Sequence, residues 1–397
     1  MPIAPYLLRN TLKALGVPAL LLLASHAVHA ADWIVSSNDG KYQRVQGRDT
    51  YPEPARPDSL TVLDASVFPP RVAQTVPVEN GIQGPPQAAA ISHDGKLALV
   101  AAPTRYDHGA QTLVLDTFLQ VVDLSTQPAT VSRVDLGSHP QAVAFDRSGQ
   151  WGMVTCVDGG VRPLRIEGNK VTVLGSIKLG EKRLAGVAFT HDGQHVLASL
   201  RDEQGLAVLD LKNGQWLDSG DRVSTGVAPY TVDVSSDGHW AVVSNVGLAG
   251  LAGYKGRLAG DADSVTLIDV SKTPFRAVQQ ITVPSVPEAV AISPDGHWIA
   301  AQSIDGSNLL PDNPGFRPQG RVTLFKLEHG HAEKVNDVAD GNSSQGMVFS
   351  ADGKHLIVQF NVEKQLGLYS LQGGRLVDTH QRIKIDGGPS SLRSAPR

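Results

Sequence analysis

One hairpin pattern recurs six times along this chain of 397 residues and constrains its fold more than any other feature. In residues 291–303, AISPDGHWIAAQS, an alternating apolar run meets an Asp-Gly turn, and a second apolar run follows. This order is typical of a tight β-hairpin. The other copies lie at residues 90–102, 144–156, 188–200, 233–245 and 348–360. Several short strands per unit, with a period of roughly 45 to 58 residues, predict a radial or solenoid repeat architecture.

Further apolar runs complete each unit after its hairpin. The pattern predicts a third strand in most units, at residues 119–124, 205–211, 264–270, 321–327 and 365–371. A fourth strand follows, as at residues 129–136 and 171–178. Four antiparallel strands, with a return to the next inner strand, make a propeller blade. The sequence therefore predicts an all-β propeller.

The two ends of the chain supply one more blade than the six hairpins do. Residues 388–397 align with the start of an inner strand and then stop, whereas residues 31–78 contain only a second, third and fourth strand. Joining the ends in one sheet closes the ring and leaves no sheet edge exposed. We therefore predict a single domain, residues 31–397, with seven blades, one of them split between the termini.

The first thirty residues differ in kind from the rest. Arg9 and Lys13 precede an apolar run centred on residues 19–23, and Val28 and Ala30 suit a signal peptidase. This pattern predicts a secretory signal peptide over residues 1–30 and a periplasmic or secreted protein. An uncleaved membrane anchor is the alternative, which the short apolar run disfavours.

Composition narrows the range of partners. The formal net charge is −4, only 19% of residues are charged, and no long basic run is present, so we do not expect nucleic-acid binding. After signal cleavage no membrane span is expected, and we expect a monomer. The single cysteine, Cys156, cannot form an internal disulfide or a paired-cysteine metal site.

The repeated hairpins and third strands, such as SADGKHLIVQF and SVTLIDVS, resemble those of the YVTN-type, lactonase-like seven-bladed propeller family, which includes exported bacterial proteins. The resemblance covers nearly all of the chain after the signal peptide. It implies lactone hydrolysis, as in some members, or binding alone, as in others. The Trp-Asp pairs of WD40 proteins and the docking repeats of quinoproteins are not visible, so no cofactor is predicted, and a divalent metal has no motif to support it.

Long connections should concentrate on the face opposite the Asp-Gly turns, where function is expected. Residues 39–58, 103–117, 246–263 and 304–320 form four such loops, and their positions predict two walls that face each other across the channel mouth. In these loops we name as ligand-binding candidates Arg105, His108, Lys255 and Arg257. The glycine-rich loop that carries the last two is either a flexible lid or an anion site.

Between the predicted walls, the first residue of each inner strand should point toward the channel mouth. Four of these positions or their neighbours supply a base, a cation, a hydroxyl and a carboxylate: His139, Arg183, Tyr230 and Glu288. For a lactone, His139 or Glu288 could activate water and Arg183 could stabilise the oxyanion. Three more of the ring residues, Gln87, Gln141 and Gln345, are candidate ligand contacts. The alternative for all of them is a polar channel lining bound to water.

Two classes of function remain open at this point. The first is an exported propeller that binds a protein partner or an extended ligand in a groove on the loop-rich face. The second is a lactone or ester hydrolase that uses the channel-mouth residues without a covalent nucleophile. The sequence lacks a complete nucleophile, metal or cofactor motif, and this favours binding.

Overall fold

Strands account for nearly all regular structure in the computed structural model of this protein, which describes residues 1–2, 32–247 and 262–397. The predicted signal peptide therefore lies outside the described residues. The strands, numbered β1 to β33 along the chain, pair into seven antiparallel sheets of four strands, one of which has a short fifth strand, and into two separate two-stranded hairpins. Residues Ala31–Arg397 pack as one unit. No helix that is long and apolar enough to span a membrane occurs in the described ranges.

The split blade and the first three blades occupy the first part of the chain. The split blade contains β1 (Trp33–Asp39), β4 (Ser59–Asp64), β5 (Arg71–Pro77) and β33 (Gly388–Ser394). Blade 1 contains β6 (Ala89–Ile91), β7 (Leu97–Val100), β10 (Phe118–Asp123) and β11 (Thr130–Asp135). Blade 2 contains β12 (Pro140–Phe145), β13 (Trp151–Cys156), β14 (Gly160–Glu167), β15 (Lys170–Val173) and the added β16 (Ile177–Lys178). Blade 3 contains β17 (Val187–Phe189), β18 (His195–Ser199), β19 (Leu206–Lys212) and β20 (Gln215–Val223).

The remaining three blades repeat the same order. Blade 4 contains β21 (Pro229–Val234), β22 (Trp240–Asn245), β23 (Ser264–Asp269) and β24 (Arg276–Thr282). Blade 5 contains β25 (Pro287–Ile292), β26 (Trp298–Ser303), β27 (Arg321–Glu328) and β28 (His331–Ala339). Blade 6 contains β29 (Met347–Phe349), β30 (His355–Phe360), β31 (Gln365–Gln372) and β32 (Arg375–Lys384). The inner strands β6, β12, β17, β21, β25, β29 and β33 contact one another in that order, and β33 returns to β6, so the ring is closed.

The Asp-Gly turns explain why the hairpins form where the sequence predicts them. In blade 1 the Ser92 hydroxyl donates to Asp94 Oδ1 at 2.7 Å, and the same carboxylate oxygen accepts the backbone N–H of Lys96 at 3.1 Å. Gly95 follows with φ of 71°, a left-handed conformation that glycine adopts without steric cost. The hydroxyl-to-aspartate bond recurs in four other blades.

The split blade closes as predicted. Strand β33 pairs antiparallel with β1, and Val35 lies opposite Arg393. Beyond the strand, the backbone N–H of Ala395 donates to the Trp33 carbonyl at 2.9 Å. The two ends of the propeller are therefore held in one sheet by backbone hydrogen bonds.

In the described residues, seven apolar clusters lie one at each junction between neighbouring blades, and an eighth, smaller cluster surrounds Tyr230. At the junction of blades 1 and 2, the small residues Ala88 and Ala90 pack near Val143 and Phe145. A small face against a large face lets the sheets approach closely near the axis.

The long loops differ from the prediction of two separate walls. Loop 39–58 contains a hairpin of β2 (Gln43–Val45) and β3 (Arg48–Thr50), and loop 103–117 contains a hairpin of β8 (Thr104–Asp107) and β9 (Thr112–Leu115). Arg44 of the first hairpin donates from Nη1 to the carbonyl of Asn308, in the fifth-blade loop, at 2.7 Å. Loops of the split and fifth blades are thus in contact, because a hairpin extends farther over the face than an irregular loop does.

Candidate functional site

Tyr230 and Glu288 lie at the start of the adjacent inner strands β21 and β25. Tyr230 is buried among apolar residues that include Ala185 and Val246, whereas Glu288 is half-buried and keeps contact with solvent. The Thr231 hydroxyl donates to the Glu288 carbonyl at 2.5 Å, which fixes the two strand starts relative to each other. The register of the repeat therefore brings a phenol and a carboxyl together at the channel mouth.

An arginine pair adjoins these two side chains. The guanidinium carbon of Arg201 lies 5.4 Å from the centre of the Tyr230 ring. Arg201 Nη1 is 2.6 Å from Asp202 Oδ1, and Arg183 Nε is 3.5 Å from Asp202 Oδ2. Asp202 thus contacts both arginines, one with each oxygen. We call Arg183, Arg201, Asp202, Tyr230 and Glu288 the mouth cluster.

The electrostatics of the mouth cluster place a carboxyl group close to its titration point at neutral pH. Burial raises the pKa of Glu288 from 4.5 to about 7, although the positive charge of Arg201 opposes the rise. Burial, with the negative charge of Glu288 as the next cause, also raises the pKa of the Tyr230 phenol, which therefore stays protonated. A carboxyl group with this pKa can both accept and return a proton near pH 7.

His139, the other predicted base, has different surroundings. Its Nδ1 lies 2.8 Å from the carbonyl oxygen of Asp116, and burial lowers its pKa. Its Nε2 is buried without a hydrogen-bond partner among the described residues. The structure therefore places Arg183, Tyr230 and Glu288 in the mouth cluster, and it hydrogen-bonds His139 to the Asp116 carbonyl instead.

The predicted glutamines are all buried, and one crosses the channel. Gln87 of blade 1 donates from Nε2 to the Val232 carbonyl of blade 4 at 2.9 Å and to the Val187 carbonyl of blade 3 at 3.4 Å. Its amide is thus engaged by backbone, and a ligand would have to displace these bonds. Gln141 has a buried Oε1 without a hydrogen-bond partner among the described residues, and Gln345, at the start of blade 6, is also buried.

The candidate loop residues Arg105 and His108 are carried by the β8–β9 hairpin. Arg105 Nε lies 3.4 Å from Asp116 Oδ2, and His108 Nδ1 lies 3.9 Å from Glu53 Oε2. Both side chains remain accessible to solvent. Lys255 and Arg257 lie outside the described residues.

A stacked tyrosine pair joins two of the loops. The rings of Tyr51 and Tyr106 are parallel within 4°, with centres 4.0 Å apart, and both are half-buried. The stack ties the split-blade loop to the blade 1 hairpin. Elsewhere in the described ranges, no group of three or more His, Cys, Asp or Glu side chains could hold a metal ion.

Sequence reasoning missed Arg201 and Asp202. They belong to the short connection after β18, and function was expected in the long loops instead. Their place in the repeat could have identified them. The connection after a second strand lies on the same face of the propeller as the start of an inner strand, where Arg183 lies. Asp202 in fact donates its backbone N–H to the Arg183 carbonyl at 3.4 Å.

The fold is a seven-bladed β-propeller, the architecture that several solved lactonase-like structures share. Solved structures with this fold include a proposed 6-phosphogluconolactonase from Bacteroides uniformis, with a TM-score of 0.65 and 14% identity over 92% of this chain and 100% of that one. The periplasmic gluconolactonase PpgL of Pseudomonas aeruginosa has a TM-score of 0.62 and 15% identity over 91% and 99% of the two chains.

The same architecture also occurs with unrelated chemistry. Hydrazine synthase of Kuenenia stuttgartiensis matches with a TM-score of 0.57 and 20% identity, over 79% of this chain and 90% of that one. Identities this low establish the fold alone. No protein-family model and no curated protein matches the chain.

Proposed function

We propose that this protein hydrolyses a lactone or a related cyclic ester at the mouth cluster, with Glu288 as the general base. The observation that carries the proposal is a half-buried carboxyl group with a pKa of about 7 beside two arginines that share one aspartate. Glu288, when ionised, would accept a proton from water as the water attacks the lactone carbonyl. The lactonase names of two structural neighbours support the same reaction class.

The arginines and the phenol would act on the charge that develops. Attack forms a tetrahedral oxyanion, which Arg201 or Arg183 would stabilise as hydrogen-bond donors. Breakage of the ring C–O bond then releases an alkoxide, to which Glu288 returns its proton. The products are a hydroxy acid and the regenerated carboxylate of Glu288. Tyr230, protonated at neutral pH, would hold a substrate oxygen as a hydrogen-bond donor.

Initial rates of acid release test the proposal. Glucono-lactone and 6-phosphoglucono-lactone are compared with and without enzyme at pH 7, since lactones also hydrolyse spontaneously. Glu288→Gln keeps the shape of the side chain and should lower kcat/KM by about 100-fold or more. Glu181→Gln is the matched control, because Glu181 is an exposed carboxylate two residues before Arg183. A wild-type rate equal to the spontaneous rate, or full activity in Glu288→Gln, would exclude this role.

Binding without catalysis is the second candidate, and the Tyr51–Tyr106 stack favours it. A half-exposed aromatic pair flanked by Arg105 and His108 provides both an apolar surface and polar groups for a partner protein or an extended ligand. Replacing Tyr106 by Ala should weaken such binding and leave lactone turnover intact. If partner binding persists in Tyr106→Ala, another surface is responsible.

Export is part of the proposal. It rests on residues 1–30 and on the word periplasmic in the name of the neighbour PpgL. Fractionation of cells that express the full chain, with N-terminal sequencing of the product, tests it. Recovery from the periplasm or the medium with Ala31 as the first residue is the expected result.

A further inference from the structure

A cavity of about 130 Å³ lies at the hairpin face of the ring, at the end of the channel away from the mouth cluster. It is lined by the last residues of the inner strands of blades 2 to 6 and by the segment after β33. Tyr230 begins β21, whereas Asp233, near the end of the same strand, lines the cavity. The cavity is therefore distinct from the site proposed for lactone hydrolysis.

Gln87 separates the two ends of the channel. Its amide contacts Val187 and Val232, which lie between Tyr230 and the cavity along the inner strands. Because this side chain reaches from blade 1 to blades 3 and 4, it crosses the channel between the two sites. A ligand would therefore enter the cavity from the hairpin face.

Arginine side chains give the cavity an excess of positive charge. Arg147, Arg393 and Arg397 line it, whereas Asp233 is its one lining carboxylate. Arg397 is already engaged, since Nη2 lies 3.1 Å from Asp32 Oδ1 and donates to the Phe349 carbonyl at 3.2 Å. That leaves Arg147 and Arg393 opposite Asp233.

Arg147 and Arg393 each use only some of their guanidinium N–H donors within the described residues. Among the described residues, Arg393 forms one ion pair, a long contact of 3.4 Å from Nη2 to Asp233 Oδ1, while Asp233 Oδ2 accepts the backbone N–H of Ile292 at 3.0 Å. Arg147 Nη1 donates to His191 Nε2 at 2.8 Å, and this bond orients the guanidinium over the cavity. A guanidinium has five N–H donors and binds oxyanions through two at once. Within the described residues, one imidazole and one carboxylate at 3.4 Å therefore engage only part of these donors.

We propose that the hairpin-face cavity binds a small tetrahedral oxyanion, either inorganic phosphate or sulfate or the phosphate group of a small ester, through Arg147 and Arg393. The volume is large enough for such an anion, since about 10–15 Å³ of accessible cavity is enough to hold one water molecule. The anion would be shared between blade 2, which carries Arg147, and the split blade, which carries Arg393. It would add a contact across the closed ring.

Calorimetric titration of the full protein with sodium phosphate at pH 7 and low ionic strength tests the site. Arg147→Gln is the main variant, because this exposed side chain is not part of the core, and it should bind phosphate about tenfold more weakly. Arg393→Gln should weaken binding similarly, and its thermal unfolding shows whether the ring remains folded. Arg71→Gln, an exposed arginine of the outer strand β5, should bind as wild type does.

Further titrations distinguish a free anion from a phosphate ester and test whether the binding is specific. Glycerol phosphate that binds more tightly than phosphate would identify an ester as the ligand, whereas weaker binding would identify the free anion. Glu288→Gln should bind phosphate normally, so the result is independent of lactone hydrolysis. No binding heat in the millimolar range, equal heat from sodium chloride at the same ionic strength, or unchanged binding in both arginine variants would overturn the proposal.

Discussion

The side-chain amide of Gln87 is hydrogen-bonded at both ends to the backbone of Val232, with Oε1 accepting at 3.1 Å and Nε2 donating at 2.9 Å. One residue of blade 1 therefore extends the backbone pairing of blade 4 across the channel. The residue is fully buried, so neither group can exchange its partner for bulk water.

Gln87→Ala should destabilise the propeller by about 2–3 kcal/mol, because the backbone groups of Val232 lose their partners in a buried position. Urea unfolding of the purified protein measures the change. Gln150→Ala, in an exposed turn, controls for loss of a glutamine and should change the free energy of unfolding by less than about 0.5 kcal/mol. Equal stability of the two variants would mean that water replaces the amide of Gln87 without loss.

Gly186→Ala should also be destabilising, by about 2 kcal/mol or more. A Cβ at Gly186 would collide with Gln87 Oε1 and with the Tyr230 carbonyl oxygen, and it would lie 3.0 Å from the backbone nitrogen of Val232. Gly109→Ala is the control, because a Cβ there would meet only Asp107 Oδ1, at 3.3 Å. If Gly186→Ala has wild-type stability, the inner strands of blades 3 and 4 must separate more easily than their packing indicates.

The sequence predicted what the repeat determines. Aligning the hairpins gives the blade count, the closure through residues 388–397, and the position of Tyr230 and Glu288 at the start of their strands. These features follow from backbone periodicity, which each copy of the repeat specifies again.

The features that the sequence did not predict depend on single side chains or loops that do not recur from blade to blade. Gln87 is one of several glutamines at equivalent positions, and only its reach across the channel distinguishes it. Arg201 and Asp202 lie in a short connection that the pattern treats as a simple turn. The hairpins in loops 39–58 and 103–117 occur once each, so no second copy reveals their register.

The pKa of Glu288 makes the stability of the protein depend on pH in a defined direction. The pKa is about 7 in the folded protein and 4.5 as its ordinary value, so between these pH values the folded state binds more protons than the unfolded state. Stability from this group is therefore complete below pH 4.5 and is lost as pH rises toward 7. Glu288→Gln should gain about 3 kcal/mol over wild type above pH 7 and nothing below pH 4.5.

Urea unfolding of wild type and Glu288→Gln at several pH values measures this difference. Subtracting the two curves removes other groups that titrate in the same range, such as Asp39, whose pKa burial raises to about 6. Glu181→Gln is the control for removal of a carboxylate. A difference that does not change with pH would show that Glu288 has an ordinary pKa and would remove the basis for its role as a general base.

Arg44→Ala should release the split-blade hairpin from the fifth-blade loop. Arg44 Nη1 donates to the Asn308 carbonyl at 2.7 Å, and this contact joins two loops that the repeat does not relate. Amide hydrogen exchange in β2 and β3 should become at least about tenfold faster, because the variant also loses the hydrogen bond from Arg44 Nε to the Tyr42 hydroxyl and the ion pair with Asp49. Arg48→Ala, exposed in the same hairpin, should leave the exchange rates unchanged. Unchanged protection in Arg44→Ala would mean that the Tyr51–Tyr106 stack alone holds the hairpin.

Asn38 and Asn245 lie near the ends of the second strands of their blades and make equivalent hydrogen bonds. Asn38 Nδ2 donates to the Ser59 carbonyl, the Ser59 hydroxyl and the Thr61 hydroxyl at 3.1–3.3 Å. Asn245 Nδ2 donates to the equivalent atoms of Ser264 and Thr266 at 2.8–3.4 Å. Each asparagine is fully buried and links its strand to the start of the third strand.

Replacing either asparagine by Ala should lower the free energy of unfolding by about 2 kcal/mol, and the double variant should lose the sum within about 0.5 kcal/mol. Additivity is expected because the two residues share no partner and belong to different blades. Asn38→Ala should be the more costly change, since Asn38 Oδ1 also accepts the Ser36 hydroxyl at 2.7 Å, whereas Asn245 Oδ1 has no such partner in the described residues. Asn169→Ala, which removes one exposed bond to Asp123, is the control. A double variant that loses much less than the sum would show that the split blade and blade 4 unfold separately, so that closure of the ring does not make the seven blades one cooperative unit.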